Sequence, residues 1–426
     1  MPSTNTFANP TVFAKELAYQ VRNNLKFAAT CYRAEADFTP VNGWKPGSSV
    51  RIRVPTQYSV GTTASVASGV NHIDVHRTVT VDQVRNVVLE FTSAQLTQDT
   101  VAAKEKFIET VIRPAGIRLA NAVDAYMAGV ARAQISQTYA STVGTVNGLG
   151  HLFGARRYLV EAGAPADGNY LALHPAHVAS LGPVLGTLFN SSYTDPLLKK
   201  GALANTVGAT VWESQNMQNQ TFGTLTGGTA ALGATWTLST APSSGTIELA
   251  TVAISFTGTI QPGQVFTQAT LYGVKALSEG NAQSTGQLKQ FVFAGTGAVG
   301  TEMTTATNAA ALFYSLPIGS GPYQNVTSST GGTIATVASA ALLVAVAGTG
   351  AATHPQSLLY NPNAFALASV PLYMPDGAAW KAQETVDGIT VRLVKDYNGL
   401  SDIEITRADV LFGGIVLNPT LACKII

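Results

Sequence analysis

Along residues 11–29, apolar side chains return every fourth position at Phe13, Leu17, Val21 and Leu25, with Lys15, Glu16, Arg22 and Lys26 between them. That spacing predicts a helix with one narrow apolar stripe, which lies on a surface rather than inside a core. After the turn signal Lys45-Pro46-Gly47 the period falls to two. Residues 50–54, 73–76 and 78–81 alternate on either side of the charge-free stretch 58–71, and Pro55 ends the first run. Together 50–91 predict a two-stranded arm with a polar tip. An isolated ribbon is marginal in water, so such an arm is expected to lie on another molecule.

The helical period is strongest from Thr92 to about residue 131, with Ile108, Ile112, Ala115, Leu119, Ala122, Tyr126 and Val130 on one face. Thr92 and Gln95 match a capping box, and Glu109 and Arg113 are spaced to pair. At 1.5 Å per residue this helix would reach about 60 Å. Pro114 lies inside it and predicts a bend over 110–113 without a break, because the period continues. Further helices are expected over 148–162 and 176–185, with a short buried strand at 169–173 between them.

From 201 to 353 the pattern changes. Short apolar runs at 247–256, 264–272 and 288–293 are separated by Gly and Pro every 8 to 15 residues, and the charged residues are Glu213, Glu248, Lys275, Glu279, Lys289 and Glu302. This is the signature of an inserted all-β sandwich or barrel. Alternation then marks 388–395, 401–406 and 409–417 as strands, with Asn398-Gly399 as a tight hairpin turn.

Composition narrows the function classes. Of 426 residues, 25 are Lys or Arg and 24 are Asp or Glu, which argues against a dedicated nucleic-acid binder. The charged fraction of 12% sits beside 46% hydrophobic residues, so the low charge is not disorder. Much of the deficit falls in the 201–353 segment. Cys31 and Cys423 are expected as reduced thiols of an intracellular product. The apolar run 337–347 is too short to span a bilayer, and the N-terminus lacks the pattern of a signal peptide.

The candidate chemistry is thin. Gly295-x-Gly297-x-x-Gly300 follows an apolar run but has no acidic residue at the distance a dinucleotide site needs, so a glycine turn is expected. His174 and His177 flank a strand-to-helix junction without a third ligand nearby, and His72 and His76 fall on the arm. No catalytic, cofactor-binding or metal-binding residues are assigned, no cofactor is expected, and the chain is not read as an enzyme. Asn190, Asn219 and Asn325 match the glycosylation pattern and are taken as chance matches. Arg51, Arg53, Arg77 and Arg85 gather on the arm, either as a solvated strand face or as a contact with an acidic neighbouring subunit.

The order of parts, with Pro10–Ala14, Asn23-Asn24-Leu25, Lys45-Pro46-Gly47, Val50–Arg53, Leu119–Asp124, Ser284–Val292, Gly321–Val326 and Arg407-x-Asp409-Val410-Leu411-Phe412-Gly413, resembles the major capsid (coat) proteins of tailed bacteriophages. Their fold is the Hong Kong ninety-seven-like (Johnson) fold. The resemblance is narrower to the P-twenty-two-type branch, which carries a β-barrel insertion. It implies an α+β fold with an N-terminal arm and helix over 1–49 and an extended β loop over 50–91. A spine helix and peripheral domain would occupy 92–140, completed by 384–426. The axial domain would occupy 141–215 and 354–383, with the barrel insertion at 216–353. It also implies a subunit that assembles through hexamers and pentamers into the icosahedral head of a double-stranded DNA phage. Its partners would be further copies of itself, a separate scaffolding protein, a portal, packaged DNA contacted without sequence specificity, and a cement or decoration protein as a further candidate. No membrane is involved. The place would be the virion, after assembly in the bacterial cytoplasm. No Lys occurs between Lys45 and Lys104, so the loop lacks the nucleophile for a Lys–Asn cross-link. The competing reading is another virion structural protein, a tail or adhesin-like β protein.

Overall fold

The structure is a computed structural model and describes residues 10–34, 49–54, 75–92, 112–140, 145–146, 148–186, 207–240, 249–275, 283–315, 317–321, 323–346 and 350–426. In chain order its elements are α1 (Pro10–Asn24), β1 (Tyr32–Arg33), β2 (Ser49–Arg53), β3 (His76–Thr80), β4 (Gln83–Thr92), α2 (Arg113–Gln134), β5 (Thr138–Tyr139), α3 (Leu149–Glu161), β6 (Asn169–Leu173), α4 (Pro175–Gly186), β7 (Ala209–Glu213) and β8 (Asn219–Thr221). There follow β9 (Thr229–Leu232), β10 (Trp236–Thr237), β11 (Leu249–Ile260), β12 (Val265–Val274), β13 (Ser284–Gly295), β14 (Met303–Tyr314), β15 (Val326–Thr327), β16 (Thr336–Val337) and β17 (Leu342–Ala345). The chain closes with β18 (Thr353–Pro355), β19 (Ser357–Tyr360), β20 (Phe365–Ser369), β21 (Trp380–Val386), β22 (Ile389–Asn398), β23 (Ile403–Val416) and β24 (Ala422–Ile425). The class is mixed α+β, and the chain divides into two compact units.

The first unit comprises Met1–Val50, Val79–Met127 and Ala366–Ile415. Its sheet runs β1-β20-β23-β22-β21, and β4 lies along β23. Helix α1 packs its expected stripe, with Ala14, Leu17, Ala18 and Val21 buried, and Phe13 meets Trp380 of β21 at 6.0 Å between ring centroids. The β21–β22 hairpin and helix α2 cover the stripe between them, with Leu17 Cδ1 3.4 Å from where a Cβ on Gly116 would stand. Helix α2 buries Ala115, Leu119, Ala120, Val123 and Met127 in this unit. Gly116 lets the two helices touch: a Cβ there would lie 2.7 Å from Gln20 Cβ. The expected N-terminal half of this helix lies outside the described residues, as do residues 110 and 111 of the expected bend. Ile112, immediately before α2, is π-helical, one of the geometries by which a helix absorbs a proline.

The strands depart from expectation in three places. Residues 50–91 do not form one two-stranded arm. β2 and β3 do pair as a ribbon, but β4 pairs along its whole length with β23, from Gln83↔Phe412 to Thr92↔Ile403. Alternation reveals a strand and not its partner, and this partner lies over three hundred residues away. Thr92 therefore closes a strand. The segments 401–406 and 409–417 are one strand, β23, because Arg407 and Ala408 keep the ladder continuous to β22. The Asn398-Gly399 turn is also wider than a two-residue hairpin. Asn398 pairs with Ile403, its Oδ1 accepts the Leu400 N–H at 3.0 Å, and Asp402 rather than Gly399 takes the left-handed conformation.

The second unit comprises Arg51–Thr78, Ala128–Phe365 and Val416–Ile426. One part is a five-stranded sheet ordered β5-β24-β19-β6-β7. On one face, Leu171, Leu173, Leu359, Cys423 and Ile425 pack against Leu152, Ala155 and Leu159 of α3 and Leu181 of α4. The other part is a closed antiparallel barrel, β13-β14-β11-β9-β17-β12 and back to β13. Trp236, Phe266, Phe291, Phe293 and Phe313 fill it. Register shifts in β11, around Phe256 and ending at Gly258 with φ 111°, supply the bends a small barrel needs to close. The chain enters the barrel through β8 and leaves through β18, which pair with each other as a neck.

Candidate functional site

The groups with possible chemistry are mostly absorbed by the fold. Helix α4 starts at Pro175, where a missing N–H is harmless, and this brings His174 and His177 to β19. Ser357 Oγ accepts the His174 backbone N–H at 3.0 Å and lies 2.7 Å from His177 Nδ1. Burial, then the nearby His174 and His151, push His177 down to about 4, so it is neutral at neutral pH. The serine and His177 are both fully buried. This Ser–His contact ties a helix start to a strand and is closed to a substrate. Among the described residues no group of three His, Cys, Asp or Glu could hold a metal. His76 is a half-buried member of β3, and His72 lies outside the described residues.

Gly295, Gly297 and Gly300 all take positive φ in the turn joining antiparallel β13 and β14. A Cβ on Gly295 would lie 2.1 Å from the Ala298 carbonyl oxygen. No helix follows to offer its N-terminus to a phosphate, so the pattern is a turn, as expected. Cys31 and Cys423 are free and buried, and burial pushes both thiols up. The four arm arginines do not share one environment. Arg51 and Arg53 are exposed, Arg77 is only 4% exposed, and half-buried Arg85 bonds to the Val84 carbonyl and Gln83. Asn219 lies in β8, Asn325 Oδ1 accepts the Ile318 N–H, and Asn190 is outside the described residues.

Three buried charged groups escaped the sequence reading of chemistry. Asp124 projects from α2 to the turn after α1 and accepts the N–H groups of Lys26 and Ala28, each at 2.8 Å. It caps a short 3-10 turn from another element. Burial raises its carboxyl, and the backbone bonds partly offset this. Asp409, fully buried, is held by Arg392 at 2.5 and 3.1 Å and by Arg407 at 2.5 Å. Lys424 is buried in β24. Asp124 and Asp409 stand in stretches that carry the family resemblance, a signal for position without role; Lys424 has none.

What the first unit offers outward is surface. Val84 and Val88 of β4 are 40% and 44% exposed, and they stand beside Leu411 and Arg407 on one sheet face. Within the described residues β4 has β23 as its one ladder partner. At the end of the β22–β23 hairpin Leu400 is 99% exposed. Apolar side chains displayed in this way suit association with other chains.

Comparison with known proteins gives matches among solved structures. The chain is similar to a structure titled "Mycobacterium phage Che8", at 13% identity and a TM-score of 0.47, covering 94% of this chain and 90% of that one. It is similar to the capsid structure of the cyanophage P-SCSP1u, at 9% identity and a TM-score of 0.42, over 93% and 86% of the two chains. It is also similar to a chain of the bacteriophage PhiM1 mature capsid, at 8% identity and a TM-score of 0.42, over 94% and 86%. No family model and no curated protein sequence matches.

Proposed function

We propose that this chain is the major capsid protein of a tailed double-stranded DNA bacteriophage, self-assembling through hexamers and pentamers into an icosahedral head shell. The observation that carries this reading is the order of its parts. A ribbon, β2–β3, is followed by a long strand, a long helix and a helix-flanked five-stranded sheet, and a closed barrel is inserted between β7 and β19 of that sheet. A shell repeats each contact by symmetry, so modest contacts suffice, and exposed apolar side chains such as Val84, Val88 and Leu400 are of the kind such contacts use.

In this reading the ribbon β2–β3 belongs to the extended loop, and the peripheral domain is the sheet β1-β20-β23-β22-β21 with β4, α1 and the start of α2. The axial domain is the five-stranded sheet, β24 included, with α3 and α4, and the insertion is the barrel within 216–353. The role is structural rather than enzymatic. A separate scaffolding protein and a portal direct assembly in the bacterial cytoplasm, and packaged DNA meets the inner face without sequence specificity. The near-zero net charge suits a container, since a strongly basic lining would hold phosphates by counterion release and hinder packing and ejection. Sedimentation of the purified full chain tests the reading. Capsomers of five or six subunits or shell-sized particles support it, whereas a stable species of fewer than five subunits at assembly concentrations overturns it.

A further inference from the structure

At the neck of the barrel buried polar groups lie beside a small apolar cluster of Phe222, Ile426 and Ala140. Lys424 of β24 reaches into the neck, and Nζ donates to the carbonyl oxygens of Arg132, near the end of α2, and Gly263, in the turn between β11 and β12, each at 3.1 Å. Lys424 is 1% exposed. Among the described residues no carboxylate pairs with it. The titratable and charged groups that act on it are the Arg132 guanidinium from α2 and Cys423 from its own strand; His354 of β18 pairs with Gln220 of β8 and packs on Phe222. Gln220 comes close at the same point, since a Cβ on Gly263 would lie 2.4 Å from its Oε1 and 3.2 Å from the Arg132 carbonyl oxygen.

Two acceptors and a neighbouring cation are the surroundings of an amine, not of an ammonium. A neutral amine has two N–H donors and matches the two carbonyls. An ammonium adds a charge that no carboxylate among the described residues neutralises, beside the Arg132 guanidinium. The environment pushes Lys424 down to about 7, through burial first and Arg132 second.

We propose that Lys424 is a proton-operated latch for the barrel: the closed neck holds it as a neutral amine, and the neck opens with uptake of one proton. The sign follows from linkage. An opened neck returns the lysine to water and its ordinary value of 10.5, so between there and about 7 the open form binds more protons. Falling pH therefore favours opening by about tenfold per pH unit in that window, and the effect levels off below it. The latch rests on the neck geometry and is independent of the shell reading.

Backbone amide exchange of the full chain, corrected for intrinsic rates and followed between about pH 7.5 and about pH 9.5, tests this. The reporters are the amides of Gly263, bonded to Phe293 O, of Thr138, bonded to Gln290, and of Lys424, bonded to Gln137 O. The expected result is an opening constant that rises about tenfold per unit of falling pH in the wild type and is flat in Lys424→Met. Equal slopes in the two proteins overturn the proposal. So does a flat wild-type slope, which decides the matter even if Lys424→Met does not fold.

Discussion

Replacing Asp124 by Ala is expected to detach the turn after α1 from α2. The carboxylate is 1% exposed and accepts two backbone N–H groups, those of Lys26 and Ala28, at 2.8 Å each. Alanine leaves both donors without an acceptor. A buried donor left unpaired costs roughly 1–3 kcal/mol, so the gross loss is about 4 kcal/mol. Part returns because a buried carboxylate no longer has to be desolvated, and the raised carboxyl shows that this cost is real. A net loss of about 3 kcal/mol remains, which corresponds to ~6–12 °C in the melting transition of a unit this size. Asp124→Asn keeps one acceptor and is expected to lose about half as much. Calorimetry gives the shift, and trypsin gives the place: the Lys26–Phe27 bond should be cut faster in Asp124→Ala than in the wild type. A melting shift below about 1 °C with unchanged cutting at Lys26 would refute the reasoning.

Other perturbations test other parts of the fold. Phe293→Ala empties the barrel beside Phe313, whose ring lies 5.8 Å away, and should cost about 3–5 kcal/mol in urea unfolding of the barrel while sparing the Lys26 site. Arg392→Met leaves the buried Asp409 to Arg407 alone and should cost roughly 3 kcal/mol, with much of it recovered when Asp409→Asn is added. His177 is held neutral, so its contribution is fully present above pH ~6.5 and is lost as pH falls toward about 4, where the unfolded chain takes up the proton first. Urea titrations at about pH 7.5 and about pH 4.5 should show a stability drop of ~2–3 kcal/mol in the wild type that His177→Gln lacks.

Local pattern was legible wherever one neighbour sets the answer. The strand Asn169–Leu173 and the helices on either side of it follow from runs of apolar residues that bury against one sheet. The barrel was legible because Gly, Thr and Ser punctuation leaves β runs and no helical period, and because Phe291 and Phe293 point to a core on one side. What stayed hidden depends on partners far along the chain. β4 reads as the second half of a ribbon until Ile403–Phe412 claims it. Arg77 reads like Arg51 and Arg53, yet it is buried and they are exposed. Asp124 and Lys424 look like ordinary surface charges in sequence; their roles come from the backbone groups of other elements that meet them. Ser357 and His177 are 180 residues apart, and neither carries a local signal of the contact.

The central claim is that copies of this chain close on themselves. Negative-stain electron microscopy of the assembled full chain tests it most directly. Closed shells of icosahedral outline, or rings of five and six subunits, are the expected result. Fibres or tubes as the sole product, or only monomers and oligomers of fewer than five subunits, would contradict it.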